Sequence, residues 1–351
     1  MNANLSVAEG GHAPVAAPHP THKFALLLRR EFWEHKGGFL WAPVIAGGIS
    51  LVLTAMAGIA GEVMIGRASR SEGFDVNGTH MSINGLDLGM LTSKMSPEDI
   101  RQLGGAVDAS LLASSLWPII AMTFVVFFYC LGALYDERKD RSVLFWKSLP
   151  LSDRDTVLSK VASATLVAPL IATVAALVTM FGFLLLASLL VSIHGGNPVQ
   201  LLWGPGSPLA ITGQFIASIP VYALWSLPTV GWLLLCSAWA RSKPFLWALM
   251  IPAFSGIFVS WFDIMQVFNL QSSWFWKNIV ARLLLGTVPG SWFDVARLEH
   301  VDVAGPSVVS EAINLHTIYS VLLTPQLWIG VVAGAAMIVA AIRMRRWRDE
   351  G

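Results

Sequence analysis

Residues 161–192 read VASATLVAPLIATVAALVTMFGFLLLASLLVS, an apolar run that contains no charged side chain and no histidine. A helix rises about 1.5 Å per residue, so about 20 apolar residues cross the roughly 30 Å hydrocarbon core of a bilayer. The run exceeds that minimum. It therefore predicts a tilted or kinked transmembrane helix, with the kink expected at Pro169.

Five other runs of this kind lie along the chain. In chain order the predicted spans are about 39–61, 111–134, 161–192, 209–240, 245–265 and 325–342. Of the 351 residues 55% are hydrophobic and 13% are charged, whereas roughly a quarter are charged in soluble domains. The sequence predicts an all-α polytopic membrane protein with six transmembrane helices, and nothing in it supports a nucleic-acid partner.

The distribution of Lys and Arg predicts the orientation. With the N-terminus inside, 16 of the 23 basic residues fall in cytoplasmic segments and seven in outer segments. The positive-inside rule then places both termini in the cytoplasm. We expect a multi-pass protein of the cell (inner) membrane.

The two long outer segments differ in character. Residues 62–110 form a polar loop in which Ser96-Pro-Glu-Asp predicts a helix start, so we expect a small helical insertion there. Residues 266–324 begin with the cluster Trp274-Phe275-Trp276 and continue into an apolar stretch too short to cross a bilayer. That pattern predicts short helices, one of them re-entrant or interfacial, between spans five and six.

The segment ahead of the first span divides in two. Residues 1–21 predict a disordered cytoplasmic tail, and residues 22–38 an amphipathic interface helix before the six-helix domain at 39–348. The candidate contact residues of the helix are Phe24, Leu27, Leu28, Arg30, Glu31 and Glu34. A simple anchor at the membrane surface and a docking helix for a partner explain the pattern equally well.

Residues 135–160 are the only strongly charged internal segment. They begin with Tyr135-Asp-Glu-Arg-Lys-Asp-Arg, pass through the apolar Val143-Leu-Phe-Trp-Lys-Ser-Leu, and reach Pro150. Ser152 then predicts the N-cap of a helix that leads into the third span. An apolar patch rimmed by charge is typical of a binding site, which favours a cytoplasmic contact surface. Aromatic side chains lying flat on lipid headgroups are the alternative.

No motif for enzymatic chemistry is present. The chain lacks the G-x-x-x-x-G-K-[ST] phosphate loop and the H-E-x-x-H and G-x-S-x-G patterns. Cys130 and Cys236 lie in apolar runs, where a thiol is usually a small core residue, and the scattered histidines predict no metal site. Asp263, at an outer end, is the only ionisable residue within the predicted spans, which counts against a gradient-driven transporter.

Two aromatic surfaces and a set of small residues recur at helical spacing. The possible cargo pathway comprises Thr123, Phe124, Phe127 and Phe128 in span two and Phe254, Phe258 and Trp261 in span five. Aromatic contact with lipid is the alternative, and the better supported one. The stripe Ala46, Ser50, Thr54 and Gly58 and the pair Gly330 and Gly334 predict close helix packing.

The chain resembles the permease subunit of an ABC-2 type exporter. The resemblance covers about residues 22–348 and rests on the amphipathic helix, the six spans, the loop Tyr135-Asp-Glu-Arg-Lys-Asp-Arg-Ser with Lys147-Ser-Leu-Pro-Leu-Ser152, and Ser159-Lys160. It implies a coupling helix between spans two and three that docks on a separate ATPase subunit. The implied coupling region contains Glu137, Arg138, Arg141, Phe145, Trp146, Lys147, Leu149, Pro150, Arg154 and Lys160.

The resemblance also implies two ATPase subunits and a second permease copy or homologue, so that ATP and Mg²⁺ bind to the partner and no cofactor binds to this chain. We therefore expect a non-catalytic subunit of an ATP-driven exporter for a hydrophobic or amphipathic cargo. An ion-coupled secondary transporter and a non-transporting membrane assembly or signalling protein remain the alternatives. The long first outer loop departs from the family pattern.

Overall fold

The fold is built on six apolar helices. The structure is a computed structural model, and it describes residues 20–68, 74–76, 79–81, 96–141, 152–265, 271–293 and 314–348. Within these ranges six helical segments are long and apolar enough to cross a membrane. They are Gly37–Met64, Pro97–Lys139, Asp153–Ile193, Pro208–Trp239, Pro244–Ile264 and Pro325–Trp347, which we call spans 1 to 6. The prediction of a six-span, all-α membrane protein is confirmed.

The remaining described elements are short. The interface helix is Pro20–Glu34, and Tyr135–Lys139 is one helical turn after Gly132, where the main helix of span 2 ends. Further helices are Ser272–Phe275, Ala281–Leu285 and Leu315–Ser320, with π turns at Gly37–Trp41, Ser163–Val167, Val199–Trp203 and Trp276–Val280 and a 3₁₀ turn at Val321–Leu323. Strands Phe74–Val76 and Thr79–Met81 pair antiparallel as a hairpin in the first long loop. The described part of the chain has no other strands.

Local sequence signals set where the helices begin. Ser96 caps span 2 through a reciprocal capping box, in which Asp99 N donates to Ser96 Oγ and Ser96 N donates to Asp99 Oδ2. The predicted helix start is thus confirmed. It opens span 2 itself, however, because the helix continues without a break from Pro97 to Gly132. The first turns of span 2 therefore replace the separate insertion expected there.

Span 4 lies at the centre of the bundle. In its most apolar stretch of 18 residues, 56% of the residues are buried, against 11% in span 1 and 17% in span 5. Spans 1 and 5 expose rows of large apolar side chains such as Ile59 and Phe258, which are 64% exposed. Surfaces of this kind require a hydrocarbon environment. The chain is a multi-pass membrane protein.

Small residues bring spans 4 and 6 into backbone contact. A Cβ atom built on Gly334 would lie 2.6 Å from the carbonyl carbon of Leu227, and one on Gly231 would lie 2.7 Å from the Gly334 oxygen. In span 1, Ser50 Oγ donates to the Ser114 carbonyl at 3.1 Å. The predicted close packing of these stripes is confirmed.

A buried carboxylate joins spans 2 and 4 near the start of both helices. Asp108, only 5% exposed, accepts hydrogen bonds from Ser207 N at 2.7 Å and Ser207 Oγ at 2.5 Å. Ser207 immediately precedes the span 4 helix, where a negative charge is favourable.

The short helices between spans 5 and 6 pack into the bundle. Trp276 Nε1 donates to Ser260 Oγ of span 5 at 2.8 Å, and Thr229 Oγ1 of span 4 donates to the Arg282 carbonyl at 2.7 Å. They form a compact segment within the helix bundle, and its entry into a bilayer stays a prediction.

Candidate functional site

The loop singled out by the sequence is described at its two ends. Glu137, Arg138 and Arg141 lie on the side of span 2, and Arg154 and Lys160 lie on the side of span 3. Phe145, Trp146, Lys147, Leu149 and Pro150 lie outside the described residues. The docking surface assigned to them stays a prediction. The described part of the site consists of the two flanks of this loop.

The flank after span 2 is anchored on the end of span 4. Leu134 N and Tyr135 N donate to Ser237 Oγ at 3.0 and 2.9 Å. Arg138 Nη2 donates to the carbonyls of Ser237 and Ala240 at 2.6 and 2.9 Å. These carbonyls belong to the C-terminal turn of the span 4 helix, which has no intrahelical donors left and favours a positive charge. Arg138 therefore ties span 4 to the predicted coupling loop.

The flank before span 3 begins with a capped helix, Asp153–Ala162. Ser152 Oγ accepts from Asp155 N at 3.1 Å, as the sequence predicted. Arg154 points outward and is exposed. Two turns later, Lys160 points into the protein and is 2% exposed. The two basic residues assigned to this flank thus have different environments.

Lys160 lies between two buried carboxylates. Its Nζ is 2.9 Å from Glu31 Oε1 of the interface helix and 3.0 Å from Glu137 Oε1. Glu31 is fully buried and Glu137 is 7% exposed. The interface helix therefore uses Glu31, together with the neighbouring Leu27 at 4% exposure, to face the bundle.

Three more side chains, Tyr129, Asp153 and Arg345, complete this arrangement, which we call the buried charge cluster (Glu31, Tyr129, Glu137, Asp153, Lys160 and Arg345). Tyr129 Oη donates to Glu31 Oε2 at 2.8 Å. Arg345, near the end of span 6, donates through Nη1 to Glu137 Oε2 at 2.8 Å and through Nε to Asp153 Oδ1 at 3.2 Å. The interface helix, spans 2 and 6 and the start of span 3 thus meet at one point.

The cluster is nearly balanced in charge. Its fully buried members are two carboxylates, Glu31 and Glu137, and two cations, Lys160 and Arg345. The Asp153 side chain is 26% exposed, and Arg30 Nη2 approaches Glu137 Oε1 at 3.9 Å. Buried ions are tolerated when they are paired and hydrogen-bonded, and loss of one partner leaves its counterpart uncompensated. A balanced cluster therefore disfavours any movement that separates its elements.

Sequence reasoning identified Glu31, Glu137 and Lys160 but missed Tyr129, Asp153 and Arg345. No local sequence pattern reveals these partners, because residues that meet in the cluster are far apart along the chain. Glu137 and Arg345, for example, are 208 positions apart. Arg30 also pairs with Glu34 of the same interface helix at 3.2 Å, where Glu34 is 49% exposed. Phe24 and Leu28 are half-buried beside it.

The proposed cargo residues lie away from this site. Phe124, Phe128, Phe254, Phe258 and Trp261 are each between 56% and 64% exposed on the outside of spans 2 and 5. Phe127 and Phe128 contact Phe245 through their rings. Thr123 Oγ1 donates to Ile119 O of its own helix and lies 3.4 Å from Thr287 O in the segment between spans 5 and 6. Lipid contact accounts for this outward placement, and a cargo pathway along it stays a prediction.

Metal and disulfide chemistry have no basis in the described ranges. Among those residues no group of three or more His, Cys, Asp or Glu side chains could hold a metal ion. Cys130 and Cys236 are both free and buried.

Comparison of the chain with protein-family models, with curated proteins and with solved structures finds no match in any of the three.

Proposed function

We propose that the chain is the membrane-spanning permease subunit of an ATP-driven ABC exporter. The observation that carries the proposal is the buried charge cluster, which joins the two flanks of the coupling loop to each other and to the interface helix and span 6. Glu137 precedes residues 142–151, the middle of the loop, and Asp153 and Lys160 follow them. A partner that moves residues 142–151 would therefore act on both flanks at once.

Such a force would reach the membrane through continuous helices. Span 2 runs unbroken for 36 residues from Pro97 to Gly132, which is about 54 Å at 1.5 Å per residue. Arg138 adds span 4 through its hydrogen bonds to Ser237 and Ala240. A displacement of the loop would therefore move spans 2 and 4 as rigid bodies, which is the kind of movement on which alternating access depends.

The remaining parts of the proposal concern partners. Two ATPase subunits would supply ATP and Mg²⁺, and a second permease copy or homologue would complete the pathway for a hydrophobic or amphipathic cargo. The side that carries both termini would face the cytoplasm of a cell with this protein in its inner membrane, in line with the distribution of Lys and Arg.

The test is affinity purification from native membranes followed by mass spectrometry and an ATP hydrolysis assay. The wild-type chain should copurify with a P-loop ATPase, and the triple variant F145D/W146D/L149D should lose it. Trp347→Asp is the matched control, because Trp347 is an aromatic residue near the same end of the bundle and is 74% exposed. Retention of the ATPase by the triple variant would contradict the coupling assignment. Transport by the purified chain alone under a pH or sodium gradient would contradict the exporter proposal.

A further inference from the structure

Arg282 is a cation in the interior of the bundle, on the short helix Ala281–Leu285 between spans 5 and 6. Its guanidinium carbon lies 3.3 Å from the centre of the Trp225 ring of span 4. On the other side, a Cβ atom built on Gly330 of span 6 would lie 2.6 Å from Arg282 Nη2. The guanidinium therefore fits between spans 4 and 6 because position 330 carries no side chain.

The depth of this site follows from span 4. Trp225 lies 17 residues from Pro208 and 14 residues from Trp239 in the helix Pro208–Trp239, or about 26 and 21 Å from its ends at 1.5 Å per residue. Arg282 therefore lies level with the middle of the most buried span, far from either end of that helix.

Among the described residues, the charge of Arg282 has no counterion. Nε and Nη2 are covered by protein and have no hydrogen-bond partner, and no carboxylate of the described residues pairs with the guanidinium. Nη1 is the nitrogen that is not covered. Arginine keeps its proton in proteins, and a ring contact with Trp225 replaces only part of the hydration that a buried ion loses. Within the ranges that the structure describes, the site therefore lacks an anion.

An apolar cavity adjoins the same segment. Pro289, Gly290, Trp292 and Phe293 line a cavity of about 270 Å³, together with Tyr222 of span 4. Trp225 Nε1 donates to Ser291 Oγ at 2.9 Å, so the ring beneath Arg282 is hydrogen-bonded to the stretch that lines the cavity. Among the described residues no charged side chain lines the cavity, and Arg282 is connected to the lining stretch through Trp225 and Ser291. It exceeds the roughly 150 Å³ cavity that accommodates benzene.

We propose that Arg282 and this cavity form a binding site for an amphipathic anion, with its phosphate or carboxylate group at the guanidinium and its apolar part in the cavity. The site does not depend on an ATPase partner, so it stands or falls independently of the exporter proposal. A bilayer lipid and a single-chain amphiphile share this chemistry.

The test uses two charged probes and their uncharged or zwitterionic matches. In dodecyl maltoside, native mass spectrometry compares dodecyl phosphate with dodecanol, and in nanodiscs it compares phosphatidylglycerol with phosphatidylcholine. Arg282→Gln should weaken binding of the charged probe at least tenfold, and Arg282→Lys should retain part of it. Lys277→Gln is the matched control, because Lys277 is an exposed cation on the same short segment.

Thermal unfolding separates a binding defect from a folding defect. Without probe, Arg282→Gln should melt no lower than wild type, because the removed charge has no protein counterion. With dodecyl phosphate, wild type should be stabilised and the variant should not.

Binding of phosphatidylglycerol alone would assign the site to a bilayer lipid, and binding of dodecyl phosphate alone would assign it to a single-chain amphiphile. Equal binding of the charged probe by wild type and Arg282→Gln, or preference for neither charged probe, would overturn the proposal.

Discussion

Replacing Lys160 with methionine tests whether the buried charge cluster holds its four elements together. The Nζ atom is within 3.0 Å of carboxylates on two other elements, and the side chain is 2% exposed. Methionine keeps the length and apolar stem of lysine but removes the charge. Glu137 would then keep Arg345 as a compensating cation at 2.8 Å, whereas Glu31 would keep the Tyr129 hydroxyl at 2.8 Å and the His35 ring at 3.9 Å.

The expected loss is large because the pair is buried. Removing one partner of a buried ion pair costs about 3–5 kcal/mol. At roughly 2 °C per kcal/mol for a chain larger than 200 residues, the melting temperature should fall by about 6–10 °C. The measurement is thermal unfolding of the purified protein in detergent. Arg101→Met is the matched control, because Arg101 pairs with Glu98 on the exposed outer turn of span 2 and should show no shift.

A second substitution separates charge balance from packing. Glu31→Gln alone leaves an excess cation, whereas Lys160→Met with Glu31→Gln restores balance among the fully buried members. The double variant should therefore melt higher than the sum of the single shifts predicts, with a coupling energy of about 1–3 kcal/mol. Strictly additive shifts, or a Lys160→Met protein that melts within about 2 °C of wild type, would refute the reasoning.

Three further predictions concern the rest of the bundle. Asp108→Ala should lower stability by about 1–3 kcal/mol in thermal unfolding, because two buried donors that precede span 4 lose their acceptor. Unchanged stability would mean that water replaces the carboxylate. Gly334→Leu should abolish the monodisperse folded peak in size-exclusion chromatography, since its Cβ would overlap the backbone of span 4, whereas Gly48→Leu, with nothing within 4 Å, should retain it. For orientation, both native cysteines are buried, so a membrane-impermeant maleimide should label Arg101→Cys in intact cells and Trp347→Cys only after permeabilisation. The reverse pattern would invert the topology.

The fold could be predicted where short stretches of sequence decide the structure. A span needs only a long apolar run, and a helix cap needs only the residues around it, so the six spans and the caps at Ser96 and Ser152 are where the sequence places them. The continuity of span 2 from Pro97 was missed, because the polar residues of its first turns resemble a loop when only hydropathy is considered.

The site could be predicted only in part, since it depends on contacts between distant segments. Glu31 and Lys160 are 129 positions apart, and their attraction leaves no periodic pattern in either helix. An amphipathic pattern would place a glutamate on the polar face of the interface helix. Here Glu31 is fully buried because a lysine and a tyrosine from two other elements satisfy both of its oxygens.

The roles proposed for Lys160 and Arg282 differ because the surroundings of the two side chains differ. Both are cations in the interior of an apolar bundle, where an uncompensated charge is costly. Lys160 is neutralised by two carboxylates of the chain itself, so its charge is used up in joining elements, which is a mechanical role. Arg282 lies against the Trp225 ring and beside Gly330 and pairs with no carboxylate of the described residues, so its charge is available to something that is not this chain. If Arg282 were structural in the same sense as Lys160, neutralising it would unbalance a pair and lower stability. Removal of an unpaired charge should not lower stability. The direction of the melting-temperature shift therefore distinguishes the roles of the two cations.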